Sequence, residues 1–143
     1  EMETKYHTAT HLLNAALKRV IGATSHQMGS NINSERLRFD FACDHKLTEE
    51  EIKKTEDLVN LWISQNLVVT KEEMKKEDAV KMGAEHQFLE RYPDIVSVYS
   101  IGDVSKEICT GPHVNNTKFL GHFKISKEES SSSGVRRIKA ILN

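Results

Sequence analysis

The hydrophobic positions of this chain change period several times, and each change marks an element. Over residues 4–21 the apolar side chains Ala9, Leu12, Leu13, Ala16, Leu17 and Val20 recur close to the helical period, which predicts an amphipathic helix. His7 and His11 fall along one edge of its buried face. The period then shortens to two: segments 27–33 and 36–41 read as a hairpin, because Leu37, Phe39 and Phe41 alternate with Arg36, Arg38 and Asp40. Thr48, followed three residues later by Glu51, is a capping-box pair, and Ile52, Leu58, Val59 and Trp62 give a second long helix its apolar face up to about residue 66. Strands are predicted at 67–73, 95–101, 119–126 and 135–141. A short helix at 77–82 is stopped by Gly83, and residues 104–108 lead into a loop holding Cys109. The serine run at 130–133 joins the last two strands, as a flexible hairpin loop or a mobile lid. This irregular alternation with hairpin-length connections points to one α+β domain over residues 1–143, a mainly antiparallel sheet packed with two long helices.

Composition narrows the class. A chain of 143 residues buries roughly two-thirds of its unfolded surface, so it needs no metal merely to hold together. It is 38% hydrophobic and 29% charged, and no apolar run approaches the roughly 18 residues of a membrane span, so a soluble protein without a membrane partner is expected. Cys43 and Cys109 stand in unlike contexts, which argues for a reducing, cytoplasmic setting and against a disulfide framework. No secretory leader is visible, and a start at Glu1 fits a piece of something longer. The net charge of -1 speaks against a wholly basic nucleic-acid binder. The charges are unevenly spread, however: Glu49, Glu50 and Glu51 lie mid-chain, while Arg136, Arg137 and Lys139 sit near the end and form a local basic patch for an anionic partner. On a strand, Arg136 and Arg137 point to opposite faces, so at most one of them faces a given ligand.

Two short motifs carry candidate chemistry, His7-Thr-Ala-Thr-His11 and Cys109-Thr-Gly-Pro-His113. Helical residues four apart share a face about 5–6 Å apart, so His7 and His11 can grip one ion, and Cys109 with His113 completes a four-ligand set for Zn2+. Each half alone is weak; the competing reading is two core-edge histidines and an inert buried cysteine. Almost a hundred residues separate the halves, so the site forms only on folding and ties the two ends of the domain together. Four protein ligands describe a structural zinc, whereas a catalytic zinc keeps one position open, and both readings stand. Thr8 follows His7 where a zinc protease carries its general-base glutamate, which argues against that enzyme class. Cys43 and His45 have no partner spacing and read as loop residues.

Eight motifs extend the picture along the chain. His7-Thr-Ala-Thr-His11-Leu-Leu, Gln27-Met-Gly-Ser30, Arg36-Leu-Arg-Phe-Asp-Phe41 and Leu47-Thr-Glu-Glu-Glu51 come first, followed by Ile101-Gly-Asp103, the stretch from Cys109 to Val114, Leu120-Gly-His-Phe-Lys-Ile125 and Gly134-Val-Arg-Arg-Ile138. In this order the chain resembles the editing domain of alanyl-tRNA synthetases, a family that includes freestanding editing proteins and the related domain of threonyl-tRNA synthetase. Its members hydrolyse the ester of a wrongly attached amino acid, typically serine, on tRNA. The resemblance implies that His7, His11, Cys109 and His113 are zinc ligands and that Gln27 lines the editing pocket. One stretch departs from the alanyl pattern: that family usually reads Cys-Gly-Gly-Thr-His, and Gly111-Pro-His-Val114 looks more like the threonyl version.

The chemistry is reasonable for such residues. An aminoacyl ester is already activated, so a positioned water with a general base or a metal suffices. A hydrophobic pocket cannot strongly reject an added hydroxyl, and a second site whose buried polar groups await that hydroxyl solves the problem. Thr24, Gln27, Ser30 and Asn31 are candidates, although Thr24 and Ser30 also fit as turn residues. The expectation is therefore a zinc-dependent, ATP-independent hydrolase acting on mischarged aminoacyl-tRNA, most simply Ser-tRNA(Ala), with Arg136 and Arg137 toward the tRNA. The alternative is a catalytically silent tRNA-binding accessory module with a structural zinc.

Overall fold

The apolar face of the N-terminal segment forms α1 (Met2–Ile21) in the computed structural model, which describes residues 1–143. A hairpin of β1 (Gln27–Ile32) and β2 (Leu37–Ala42) follows, and then α2 (Glu49–Ser64). The capping box closes as read: the Glu51 amide donates to Thr48 Oγ1 at 3.0 Å and the Thr48 amide donates to Glu51 Oε1 at 2.9 Å. Such a cap is worth about 1 kcal/mol of helix stability. The remaining elements are β3 (Val69–Lys75), α3 (Lys76–Lys81), β4 (Ile95–Ile101), β5 (Ser105–Ile108), β6 (Phe123–Ser132) and β7 (Val135–Leu142).

The strands form two antiparallel sheets, one in the order β1-β2-β7-β6 and one in the order β3-β4-β5. The α+β reading therefore holds, with the sheet divided in two. Leu37, Phe39 and Phe41 of β2 and Ile138 and Ala140 of β7 turn inward against Leu12, Leu13 and Leu17 of α1 and Val59 of α2, and all of these are fully buried. Tyr6 fastens the helix start to this sheet: its hydroxyl donates to the Glu35 carbonyl at 2.9 Å and accepts from the Leu142 amide at 3.2 Å. Arg19 lies over the Trp62 ring at 4.9 Å, joining the two long helices. The small sheet has its own minor core of Ala79, Ala84, Val96 and Val98.

Two strand starts shift by two residues or more from the sequence reading. The strand expected at 67–73 runs over Val69–Lys75, because Asn66 takes a left-handed φ of 54° and the Leu67 amide is drawn to Thr117 Oγ1 at 2.9 Å. The strand expected at 119–126 begins only at Phe123. A 3-10 turn, Thr117–Leu120, precedes it, opened by the Asn116 side chain accepting from the Lys118 amide at 2.9 Å. The serine run is not a loop either: β6 continues through Ser132, with Ser130 opposite Arg136 and Ser132 opposite Val135. Pairing with β7 supplies the backbone partners that serine's weak strand propensity does not.

Candidate metal centre

The helical spacing of α1 puts His7, Thr10, His11 and Asn14 at i, i+3, i+4 and i+7, a polar stripe on a largely apolar buried helix. β5 delivers Cys109 to this stripe, and the loop beyond it turns back to bring in His113. The ligating atoms of His7, His11, Cys109 and His113 lie within 4.8 Å of one another. Cys109 Sγ stands 3.3 Å from His7 Nε2 and 3.4 Å from His113 Nε2. For zinc bonds of about 2.3 Å to sulfur and 2.05 Å to nitrogen, the edges of a tetrahedron are about 3.5 Å, so the donor set fits the ion.

The loop is shaped for this turn. Gly111 has a φ of +72°, and a Cβ there would come 2.5 Å from Tyr99 Oη, while the Tyr99 ring in turn packs on His113 at 4.5 Å between centroids. The Gly111 amide also donates to Cys109 Sγ at 3.4 Å.

Hydrogen bonds set two of the tautomers. A carbonyl only accepts, so His7 must donate Nδ1–H to the Pro112 oxygen at 3.0 Å, which leaves the Nε2 lone pair facing Cys109. The Thr8 hydroxyl donates to the Thr4 carbonyl at 3.3 Å and accepts from the Val114 amide at 3.1 Å, so its 2.9 Å contact with His113 Nδ1 is one more acceptance. His113 Nε2 is thereby also left with a free lone pair toward Cys109. Partners of this kind orient metal-binding imidazoles and fix their tautomers.

Burial lowers the pKa of His7, more strongly that of His11, and that of His113 to about 3, while it pushes the Cys109 thiol up. Without a cation the cluster is therefore neutral, with imidazole lone pairs ready to ligate. A cation reverses the logic for sulfur and makes the thiolate the favoured form. His11 Nδ1 is buried with no hydrogen-bond partner; it faces Glu107 Oε2 at 3.7 Å. Burial raises the Glu107 pKa to about 8, reinforced by Glu85 and opposed by the bond from Asn14 Nδ2 at 3.3 Å. A cation held by neighbouring ligands would pull it down again.

His7, His11 and Cys109 floor a cleft of about 590 Å³. Thr10 and Asn14 of α1 line one wall, and Gln27 and Ser30 of β1 another. A loop around residues 85–88 covers part of it and is latched to β1 by Gln87 Nε2, which donates to the Gln27 carbonyl at 2.9 Å. Gln27 and Ser30, singled out from sequence, are joined by a 3.2 Å hydrogen bond. Thr24 is exposed in the turn after α1, and neither it nor Asn31 lines the cleft. Arg136 and Arg137 also lie outside it and point to opposite faces of β7. Arg136 forms a two-pronged pair with Glu128 at 2.8 and 3.0 Å, and Arg137 one with Asp40 at 2.9 and 3.1 Å. Cys43 and His45 sit in the turn before α2, where His45 pairs with Asp44 at 2.8 Å and Glu51 at 3.0 Å.

Residues 96–139 match the family described as the threonyl and alanyl tRNA synthetase second additional domain. Similarity to alanine–tRNA ligases extends over nearly the whole chain: 58% identity over 139 residues to that of Borrelia hermsii, covering 97% of this chain and 23% of the relative. Residues 96–139 belong to this second-additional-domain family. The alanine–tRNA ligase of Treponema denticola is 56% identical over 142 residues, covering 99% of this chain and 24% of the relative. That of Thermotoga maritima is 50% identical over 141 residues, covering 99% and 16%. The chain thus spans about a quarter or less of the length of these relatives, 16–24%. The matched family and these relatives are named for tRNA synthetases and tRNA ligases. No helix is long and apolar enough to cross a membrane.

Sequence reasoning overlooked Thr10, Asn14 and Glu107 as cleft residues. The first two were legible as a polar stripe in step with the histidines. Glu107 gave no such signal, because β5 is short and only its docking against α1 makes that carboxylate a wall of the cleft.

Proposed function

We propose that this domain hydrolyses the ester of mischarged aminoacyl-tRNA, with Ser-tRNA(Ala) as the substrate. One observation carries the reading: the His7, His11, Cys109 and His113 cluster adjoins an open cleft whose wall holds a buried polar atom with no partner, Asn14 Oδ1. An unmet buried acceptor costs about 1–3 kcal/mol, and the side-chain hydroxyl of a serine ester placed against it relieves that cost. Alanine has no side-chain hydroxyl to offer, so the cleft favours serine.

Zinc held by the four ligands would supply a positive charge for an oxygen or amino group of the ester. The chain supplies the rest. The Thr10 hydroxyl is committed as a donor to the Tyr6 carbonyl at 2.9 Å, so toward the cleft it can only accept. Gln27 donates to Ser30 and keeps its own carbonyl latched to Gln87, which holds β1 and the covering loop together over the substrate. A water beside the cluster then needs only to be positioned, because the ester is already activated.

A complete set of four protein ligands favours a second reading, a structural zinc in a silent tRNA-binding module. Deacylation separates the two. Zinc-loaded protein is expected to release serine from Ser-tRNA(Ala) and to spare Ala-tRNA(Ala), with Cys109→Ala and Gln27→Ala impaired. If Ser-tRNA(Ala) and Ser-tRNA(Thr) both stay intact at protein concentrations near that of the substrate, the enzymatic reading falls. Chelation that lowers thermal stability without any associated hydrolysis would leave the structural module.

A further inference from the structure

The larger sheet has a second face, turned away from the core, which the cleft does not use. Residues directly opposite in antiparallel strands share a face. Asn31 is opposite Arg38, Arg38 opposite Lys139, and Lys139 opposite Lys127, so one level of the ladder reads Asn31, Arg38, Lys139, Lys127 across β1-β2-β7-β6. The inward neighbours Leu37, Phe39, Ile138 and Ala140 are fully buried, which puts this row on the outer face.

Three cations in adjacent cross-strand positions repel one another, an arrangement that costs stability unless negative charge compensates. The compensation present is partial. The next level holds Asp40, Arg137 and Glu129: Asp40 is taken up by Arg137, and Glu129 is shared between Lys127 at 3.2 Å and Lys139 at 3.5 Å. Arg38 Nε comes no closer than 3.8 Å to Asp40 and is buried without a hydrogen-bond partner. With Lys124 opposite Ile141 on the same face, five cations meet two carboxylates on a chain whose net charge is -1. The side chains of Lys127 and Lys139 remain 61% and 38% exposed.

We propose that this face docks the phosphodiester backbone of RNA, with Arg38, Lys139 and Lys127 meeting successive phosphates of the tRNA whose 3' end enters the cleft. The proposal rests on the tRNA reading and adds to it a path. The row begins at Asn31, next in sequence to Ser30 of the cleft wall, and runs from there across the sheet at about 4.8 Å per strand. A strand of RNA leaving the cleft over the β1 edge meets the cations in that order. Arg137, named from sequence as a tRNA contact, then acts by holding Asp40 away from this row, while Arg136 lies on the opposite face with Glu128.

The test is binding of uncharged tRNA(Ala) to the zinc-loaded full chain across a salt series. For Lys127→Ala/Lys139→Ala, the slope of log affinity against log salt is expected to drop by roughly 1 to 2, and affinity on the order of tenfold or more. Lys127→Arg/Lys139→Arg is expected to restore both. Lys53→Ala/Lys54→Ala on α2, where each lysine already pairs with a helix carboxylate at 3.1 Å, is expected to change neither. Wild-type slope and affinity in the sheet variant would overturn the proposal. So would an equal loss in the α2 variant, or a loss seen only with phosphatidylserine vesicles and not with tRNA. Hydrolysis of a serine ester of adenosine, which has no phosphates, isolates the cleft and is expected to be unchanged in the sheet variant. If wild type fails to cleave that ester yet the sheet variant still loses tRNA, the deacylase reading falls and the docking face stands.

Discussion

Thr8→Val is the sharpest probe of how the metal centre is built. Thr8 is fully buried, and its one hydroxyl answers both the Val114 amide at 3.1 Å and His113 Nδ1 at 2.9 Å. Valine keeps the shape and strands both donors, each at about 1–3 kcal/mol, so a net destabilisation of about 2–3 kcal/mol is expected after partial relaxation. For a domain of this size that corresponds to a fall in Tm of roughly 5–10 °C. Loss of the bond that orients His113 should also weaken zinc binding by roughly 10–100-fold. The assays are thermal unfolding of the metal-free protein and zinc competition against a chromophoric chelator. Thr8→Ser is the companion: it loses a methyl and keeps the hydroxyl, so zinc affinity should stay near wild type. If the valine variant binds zinc within twofold of wild type, or if serine weakens binding as much as valine does, the assigned role of the hydroxyl is wrong.

Three further outcomes follow from the same geometry. Because burial holds the folded-state pKa values of the cluster histidines below 6.5, with His113 at about 3, the unfolded chain takes up protons that the folded one excludes. Stability of the metal-free protein should therefore fall as pH drops from about 6.5 toward 3. Denaturant titrations should show a shallower fall for His113→Gln. Glu107 works in the opposite sense: its pKa rises from 4.5 to about 8, so its contribution is lost as pH rises through that window. Glu107→Gln should accordingly stabilise the metal-free protein above pH 8 and leave it unchanged near pH 4, as read by Tm. In Gly111→Ala, a left-handed φ of +72° costs about 1–2 kcal/mol. The added Cβ also presses on a Tyr99 ring already packed on His113, so zinc affinity should fall together with Tm; a variant with wild-type zinc affinity would show that the loop yields elsewhere.

Legibility from sequence followed the range over which each residue acts. The α1 and α2 segments and the Phe39-bearing strand were readable because apolar spacing is a local property, and the Thr48 and Glu51 cap because both partners lie within one turn. The four residues of the His/Cys cluster were readable because their spacings of four are local, although the approach of the two halves is not. What stayed hidden needs two elements to meet. Glu107 becomes part of the cleft only through α1, Thr8 becomes the anchor of His113 only through the returning loop, and Ser130 becomes strand only through β7. Arg137 was noticed as a charge, but its commitment to Asp40 depends on the register of β2 against β7.

The division between core and cluster bears on what a bound metal would be for. Leu12, Phe39, Phe41, Phe123 and Ile138 are fully buried without any help from the four ligands, and Tyr6 already joins the first helix to the last strand. A zinc ion is therefore not needed to close the fold. What an ion would add is smaller in scale: it would brace a loop of five residues from Cys109 to His113, held against α1 by Thr8 and His7, and a neutral imidazole set in which His11 Nδ1 has no partner. Of these residues, His7, His11 and Cys109 also floor the cleft. Metal binding at this cluster would act on the shape and charge of the cleft with the scaffold left in place, the arrangement expected if the ion serves the ligand more than the fold.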